Sequence, residues 1–271
     1  MSQRMAPNLI SIELRAAYAA WIAMLKERLE QFGRQGMLVI WAIRPIFDLA
    51  IAALVYAGGA KDLVPYIVVS MTANSLVWTS IFWVGEILDR EREKGTLLSL
   101  FLAPCSRLSW LIGFAASGIV ETSIAALTVG ISSVLLFNVS FNPNYLTLAV
   151  ILPLFVASLV GIGLIMSGLG LITKHANELS NVVFPILLVL GGAYYPVSRL
   201  PDVPRILAHL LPLGYGFQAL SDAALHHASL ADVSDSLIPL LGFAIVLPII
   251  GALLFRTLEH AVRQSGELEL Y

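Results

Sequence analysis

Three charged side chains lie inside long apolar runs, where each charge costs about 2.5–3.5 kcal/mol on insertion scales. Arg44 and Asp48 are four residues apart, so the two side chains can pair along one face of a helix. Pairing largely neutralises both charges, which favours a structural role over a functional one. Glu121 shares its run with no basic residue. Its carboxyl is either protonated, hydrogen-bonded between helices, or part of a polar route across the apolar region, and the sequence leaves these readings open.

A stripe of hydroxyl side chains marks another apolar run. Thr72, Ser75 and Thr79 follow each other at steps of three and four, the spacing of one helix face. Hydroxyl side chains commonly bind membrane helices to one another, although the lining of a polar pathway fits the same pattern. The three residues are therefore candidates for a pathway as well as for packing.

A third polar set lies in the apolar run near residue 185. Asn181 opens it, and Tyr194 and Tyr195 close it after a Gly-Gly pair. The glycines predict that the helix loosens near that end. Tyrosines at such a position usually belong to the interfacial aromatic belt, so their inclusion among the pathway candidates is a hypothesis.

Several kinds of chemistry are excluded by missing patterns. The sequence has no GxxxxGK[ST] loop for ATP phosphates and no GxSG serine with a histidine in a partner run. His226 and His227 are adjacent and so point to different helix faces, and Cys105 is the single cysteine, which argues against a metal site. The net charge of −2 gives no basic surface for nucleic acid. We expect no catalytic, cofactor or metal site in this chain.

The composition indicates a membrane protein, because 58% of the 271 residues are hydrophobic and only 13% are charged. A helix needs about 20 apolar residues to cross a hydrocarbon core. Continuous rather than alternating runs favour helices over barrel strands. Six spans are predicted, at residues 37–57, 63–85, 110–137, 145–172, 179–196 and 237–255.

The distribution of basic residues predicts the orientation of these spans. With the first residue inside, twelve basic residues lie in the inner segments: Arg4, Arg15, Lys26, Arg28, Arg34, Arg90, Arg92, Lys94, Arg107, Lys174, Arg256 and Arg263. Three lie in the outer segments: Lys61, Arg199 and Arg205. The positive-inside rule therefore predicts that both termini are cytoplasmic.

Three parts of the chain are expected outside the apolar core. Residues 1–36 form an amphipathic helix in the inner interface, which serves either as an anchor or as a docking element, and charges within it argue against a secretory signal. Residues 86–109 form a charged cytoplasmic segment, and 256–271 a cytoplasmic tail. Residues 197–236, the outer loop of the domain 37–255, contain two short helices, near 203–211 and 217–225, that dip back into the outer leaflet. A break at Gly214-Tyr215-Gly216 separates them.

Several motifs resemble the type-2 ABC transporter permeases over nearly the whole chain. The most specific is Glu91-Arg-Glu-Lys-Gly-Thr-Leu after the second span, followed by Ala103-Pro104 and Ser106-Arg107. The others are Leu179-Ser-Asn, Pro185, Gly191-Gly192, Tyr195-Pro196, Leu200-Pro201 and Leu211-Pro212-Leu213.

This resemblance implies a non-enzymatic transport subunit in the inner membrane. A partner ATPase subunit would bind ATP and magnesium, a second permease subunit would complete the assembly, and an amphiphile such as a drug, a lipid or a lipid-linked glycan would be exported. The implied ATPase-coupling residues are Glu91, Arg92, Glu93, Lys94, Gly95 and Thr96. The implied pathway is lined by the second and fifth spans, which carry Thr72, Ser75, Thr79, Asn181, Tyr194 and Tyr195, with Glu121 as a further candidate.

Two alternatives come from other classes of protein. A membrane-embedded enzyme would need a polar catalytic cluster near one face, and the sequence has none. A membrane scaffold would not need the pair of charged, amphipathic cytoplasmic elements. An adjacent reading frame with a Walker motif would favour export over both.

Overall fold

A computed structural model describes residues 9–93, 95, 113, 123–124, 126–173 and 175–264, and this part of the chain consists of helices joined by turns. In chain order the helices are α1 Leu9–Ala57, α2 Val64–Trp78, α3 Ile87–Glu93, α4 Ala126–Phe137, α5 Tyr145–Thr173, α6 Ala176–Leu190, α7 Asp202–Ala208, α8 Pro212–Leu225 and α9 Ser234–Gln264. A π-helical turn, Thr79–Val84, continues α2.

Three segments are long and apolar enough to cross a membrane: Lys61–Val84, Tyr145–Thr173 and Ser234–Leu258. They coincide with the second, fourth and sixth predicted spans. Shorter apolar helices overlap the other three predicted spans, at Ile46–Ala57, Ala126–Phe137 and Ala176–Leu190. The predicted all-α, membrane-spanning fold is thereby confirmed.

From residue 9 onwards, the predicted amphipathic helix and the first span are two helical segments of α1, separated by a kink. Gly33 breaks the helical geometry there, with φ 65° and ψ 172°. Glycine suits this position because the left-handed region penalises a Cβ. Before the kink, Ala17 lies against Gly113 of the predicted third span. A Cβ on Gly113 would lie only 2.1 Å from the Ala17 carbonyl oxygen. The amphipathic helix therefore packs on its own chain.

The helices α5 and α9 pack against each other over a long interface, and glycines let their backbones meet. A Cβ on Gly161 would lie 2.4 Å from the Leu247 carbonyl carbon, and one on Gly251 would lie 2.6 Å from the Gly161 carbonyl oxygen. Small residues at a contact are the usual means by which membrane helices pack, since lipid supplies no hydrophobic force between them.

Residues 197–236, the predicted outer loop, differ from the prediction at one point. The helix α8 begins at Pro212 and runs without interruption through Gly214 and Gly216, so the predicted break is wrong. These glycines serve close packing instead of ending the helix. A Cβ on Gly216 would lie 2.3 Å from the Phe155 ring, and one on Gly214 would lie 2.7 Å from Val197.

Candidate functional site

The end of the second span is fastened to α3 by Arg90. Its Nη2 donates hydrogen bonds to the carbonyl oxygens of Phe82 at 2.9 Å and Trp83 at 2.6 Å. The guanidinium also lies 4.3 Å from the centre of the Trp83 ring, within the range of a cation–π contact. Carbonyls at a helix end need such partners, because they lack an intrahelical donor. Arg90 therefore holds α3 against the π-helical turn.

Asp89 links α3 to the first residue of α6. Its Oδ2 accepts a hydrogen bond of 2.9 Å from the backbone N–H of Ala176. The residue before α6, His175, makes no capping hydrogen bond through its side chain within the described part of the chain. Asp89 thus takes the place of the N-cap residue, and its negative charge suits the helix N-terminus. Its Oδ1 lies 2.7 Å from Nη2 of Arg92, which holds the carboxylate in position.

Glu86 makes a second link to α6. Its side chain is buried, and Oε2 accepts a hydrogen bond of 3.3 Å from Nδ2 of Asn177. Burial raises the pKa of the Glu86 carboxyl, while Ser180, Asn177 and Arg90 partly oppose this. Oε1 of Glu86 and the hydroxyl of Ser180 are both buried. Neither atom has a well-formed hydrogen bond to another described residue. We call Glu86, Asp89, Ala176, Asn177 and Ser180 the α3–α6 junction.

Asn181 extends the junction by one turn of α6. Its Nδ2 donates to both the backbone oxygen and Oδ1 of Asn177, each at 2.9 Å. The predicted pathway candidate Asn181 is therefore connected to Glu86 through Asn177. Its side chain is nevertheless exposed, which leaves its place in a pathway a prediction.

The second and fifth spans are also joined at two other levels. Trp78 and Phe82 stack with ring centroids 4.0 Å apart, and Phe184 of α6 meets their edges at 5.1 and 5.3 Å. Towards the other end, the hydroxyl of buried Tyr66 donates a 2.9 Å hydrogen bond to the carbonyl oxygen of Gly192. Together with the α3–α6 junction, these contacts connect the two spans along their length.

The Tyr66 contact explains how the fifth span ends early. The helix α6 ends at Leu190, short of the predicted boundary at residue 196, and Gly192 adopts φ 73°. Irregular backbone at membrane depth persists only where protein covers it and satisfies its polar groups. Residues 191–193 are buried, and Tyr66 supplies the donor. The predicted loosening of this helix is confirmed.

An apolar cluster underlies α3. It contains side chains from the amphipathic part of α1, the π-helical turn, α3, α5 and α9, namely Ala20, Val84, Ile87, Leu88, Leu164 and Phe255. All of them are at most 4% exposed. Five elements therefore meet beneath the charged surface of α3, and α3 is part of the packed bundle rather than a free loop.

Four of the six predicted coupling residues are described, and they lie at or just beyond the end of α3. Glu91 and Arg92 are half-buried, Glu93 is exposed, and the N–H of Gly95 donates a 2.9 Å hydrogen bond to the Arg92 oxygen where the helix stops. Gly95 has φ 68°, as is usual for glycine after a helix. The other two predicted residues, Lys94 and Thr96, lie outside the described residues.

Two hydroxyls of the predicted stripe donate hydrogen bonds within α2. Thr72 Oγ1 donates to Val68 O and Ser75 Oγ donates to Thr72 O, both at 2.8 Å. Ser75 and Thr79 are buried, whereas Thr72 is half-buried and borders a cavity. Backbone bonding of this kind leaves their pathway role a prediction.

The remaining candidates are only partly described. Tyr194 and Tyr195 are half-buried, and the Tyr195 hydroxyl donates to the Val189 oxygen at 3.1 Å. Asp48 is half-buried and makes an interaction of its own. Glu121 and the side chain of Arg44 lie outside the described residues, so the predicted pairing of Arg44 with Asp48 stays a prediction.

The hydrogen bonds of Tyr66, Glu86, Asp89 and Asn177 involve side chains that were not among the predicted sites. Glu86 and Asp89 carried a signal, since they are the first charges after the second span. Their partners on α6, Ala176 and Asn177, gave no signal in the sequence, because a sequence does not reveal which distant helix end receives a cap.

The structure thus presents an integral membrane protein in which a charged helix, α3, is fastened to its spanning helices. The chain matches the family model described as ABC-2 type transporter over residues 18–225. It therefore belongs to the ABC-2 type transporter family and is a type-2 ABC transporter permease.

Two similar proteins come from Escherichia coli (strain K12). The probable multidrug ABC transporter permease YbhR is 28% identical over 152 residues, which are 56% of this chain and 41% of that protein. The probable multidrug ABC transporter permease YbhS is 25% identical over 150 residues, 55% of this chain and 38% of that protein. The matches therefore cover less than half the length of either relative.

Proposed function

We propose that this chain is the permease subunit of an ATP-driven exporter that moves an amphiphile out of the cytoplasm. A separate ATPase subunit binds ATP and magnesium, and a second permease subunit completes the assembly. The protein lies in the inner membrane with both termini in the cytoplasm. Support comes from the permease family, from the names of the two multidrug relatives, and from the excess of basic residues in the predicted inner segments.

The α3–α6 junction is the observation that carries this proposal. A partner that hydrolyses ATP must move the spanning helices by contact at the membrane surface. Asp89 and Glu86 connect α3 to the first turn of α6. A displacement of α3 is thereby passed to the fifth span, and the aromatic contacts between Trp78, Phe82 and Phe184 carry it to the second span as well.

The partner's contact in this proposal is the end of α3, where Glu91 and Glu93 stand. Arg92 is held by Asp89 on the inner side of the helix, and Glu93 is exposed. A charged helix end on a rigid, apolar base is suited to a groove on another protein. If a charge of this helix end forms a buried ion pair in that groove, removing one member of the pair costs about 2–5 kcal/mol of binding free energy.

The test uses the purified permease–ATPase complex with Glu91→Ala and Glu93→Ala combined. Substrate-stimulated ATP hydrolysis is expected to fall, while membrane insertion and basal hydrolysis remain. Asp235→Ala removes an exposed acid on the opposite, predicted outer side and serves as the control. ATP-dependent accumulation of a fluorescent lipophilic dye in inverted vesicles tests the direction. Assembly, basal and stimulated hydrolysis all at wild-type levels would contradict the role of α3 and turn attention to the amphipathic part of α1.

A further inference from the structure

A cavity of about 240 Å³ lies within the helix bundle of a single subunit, away from the α3–α6 junction. Its walls come from α2, α4, α5 and α8, and they include Val69, Leu76, Gly130, Leu148, Leu152 and Leu220. Phe141, from the loop between α4 and α5, completes the lining and is 36% exposed. The cavity therefore reaches the surface of the bundle at the end where α5 begins.

The lining is suited to hydrocarbon and not to water. Among the lining residues that the structure describes, only Thr72 and Ser123 carry a polar side chain, and the Thr72 hydroxyl already donates to the Val68 oxygen at 2.8 Å. An ordered water in a cavity needs two to four polar partners, and apolar cavities stay dry. Leaving the cavity empty would forfeit the dispersion contacts of its walls.

The size of the cavity restricts what it takes. An engineered apolar cavity of about 150 Å³ binds benzene, so this one has room for more than a single ring. Sites that enclose a drug-sized ligand measure about 300–1,000 Å³, which is larger than this cavity. The volume therefore fits one part of a molecule, such as a length of one hydrocarbon chain.

The loop that carries Phe141 is fixed at the mouth of the cavity. The N–H of Asn142 donates to the Ala224 oxygen at 3.1 Å, and the N–H of Asn144 donates to the Ala223 oxygen at 2.8 Å. Leu148 and Leu152 occupy the first two turns of α5, so the cavity lies at the depth of one leaflet. Acyl chains of membrane lipids are the surrounding medium at this depth.

We propose that this cavity binds one acyl chain of a membrane lipid, held between α2, α4, α5 and α8. The chain inserts beside Phe141 and reaches towards Gly130. The site goes beyond the proposed export function, because binding needs neither ATP nor a partner subunit. A lipid held there replaces the packing that side chains would otherwise provide between α4 and α8.

Gly130 offers a direct way to fill the cavity. A Cβ at Gly130 would meet no atom within 4 Å outside its own helical turn, so Gly130→Leu places a side chain into open space. Gly242 on α9 also has no atom within 4 Å of a Cβ and is exposed, which makes Gly242→Leu a matched control. Gly130→Ala adds a single methyl group and gives an intermediate variant.

The experiment uses the full-length protein in nanodiscs with a phosphatidylethanolamine that carries a diazirine on one acyl chain. After irradiation, mass spectrometry is expected to find label at Phe141 and Leu148. Gly130→Leu should lower this labelling by about tenfold, because the new side chain occupies the volume of the acyl chain. Gly130→Ala should lower it less, and Gly242→Leu should leave it unchanged. Label on exposed Leu241 of α9 monitors ordinary lipid contact and should not change with Gly130→Leu.

Three results would overturn the proposal. The first is wild-type protein in which Phe141 and Leu148 are labelled no more strongly than Leu241. This result does not depend on the folding of any variant. Another is cavity labelling that persists in correctly folded Gly130→Leu. The third is labelling by a diazirine-bearing alkylamine but not by the phospholipid, which would assign the cavity to a free amphiphile. Loss of ATPase coupling affects none of these measurements, so failure of the proposed export function would be recognised separately.

Discussion

Asp89 accepts a 2.9 Å hydrogen bond from the backbone N–H of Ala176, a residue 87 positions further along the chain. The carboxylate of one helix thus caps another helix, which here begins the fifth span. Because the cap belongs to α3, the first turn of α6 keeps its hydrogen bond only while α3 stays in place. We therefore expect α3 and the first turn of the fifth span to move together.

Asp89→Ala should destabilise the protein by about 0.5–2 kcal/mol, the usual cost of removing a helix cap. Thermal unfolding in detergent measures the change. Asp202→Ala is the control, since Asp202 also pairs with an arginine three residues later, Arg205 at 3.5 Å, but is 93% exposed. Its loss should cost less than about 0.5 kcal/mol. Equal effects of the two substitutions would contradict the capping role of Asp89.

Tyr66→Phe should destabilise the protein by about 1–3 kcal/mol, because the buried carbonyl of Gly192 would lose its donor. The ring remains, so packing is retained. Tyr195→Phe removes a comparable hydroxyl at a more exposed site, where water can replace it, and should have a smaller effect. Thermal unfolding of both variants gives the comparison, and a neutral Tyr66→Phe would show that the end of α6 is held by other contacts.

Glu86→Gln should change how stability depends on pH. Burial raises the pKa of Glu86 above its ordinary value of 4.5, so the folded state binds this proton more tightly than the unfolded state does. The stabilising contribution is present below about pH 4.5 and is lost as pH rises through the raised pKa. Glutamine stays neutral, so the stability of Glu86→Gln relative to wild type should increase as pH rises.

Thermal unfolding between about pH 4.5 and 8 tests this dependence on Glu86. Glu178→Gln, at an exposed position near the same end of α6, sets the baseline for the loss of one acidic group. A relative stability of Glu86→Gln that falls with rising pH would contradict the burial of a carboxylate at this junction.

Cysteine labelling in intact cells should confirm the orientation of the spans. In a variant with Cys105 replaced by serine, Ser198→Cys should react with a membrane-impermeant maleimide added outside, whereas Glu93→Cys should react only after the membrane is opened. Both positions are exposed in the single chain, and expression without the ATPase subunit keeps residue 93 accessible, so the side of the membrane decides the outcome. Labelling of residue 198 from the cytoplasmic side alone would reverse the topology.

The spans were predictable because each needs only its own run of apolar residues, and Tyr145–Thr173 follows the prediction of 145–172 closely. The α3–α6 junction was not, because hydrogen bonds between distant residues depend on how helices meet. The predicted break at Gly214 and Gly216 was wrong because it also depended on how helices meet. Glycine often ends a helix, but these two glycines permit close contact with Val197 and Phe155. Asn181 was identified by its type, but its link to Glu86 appears only through Asn177 in three dimensions.

The most direct test of the central claim is the number of substrate molecules transported for each ATP hydrolysed by the reconstituted complex carrying Asp89→Ala. The account predicts that basal hydrolysis persists while this ratio falls by about tenfold, since each 1.4 kcal/mol of lost coupling corresponds to a factor of ten. Asp202→Ala should keep the wild-type ratio. A folded, assembled Asp89→Ala complex with an unchanged ratio would contradict the claim that α3 moves the fifth span through its cap on Ala176.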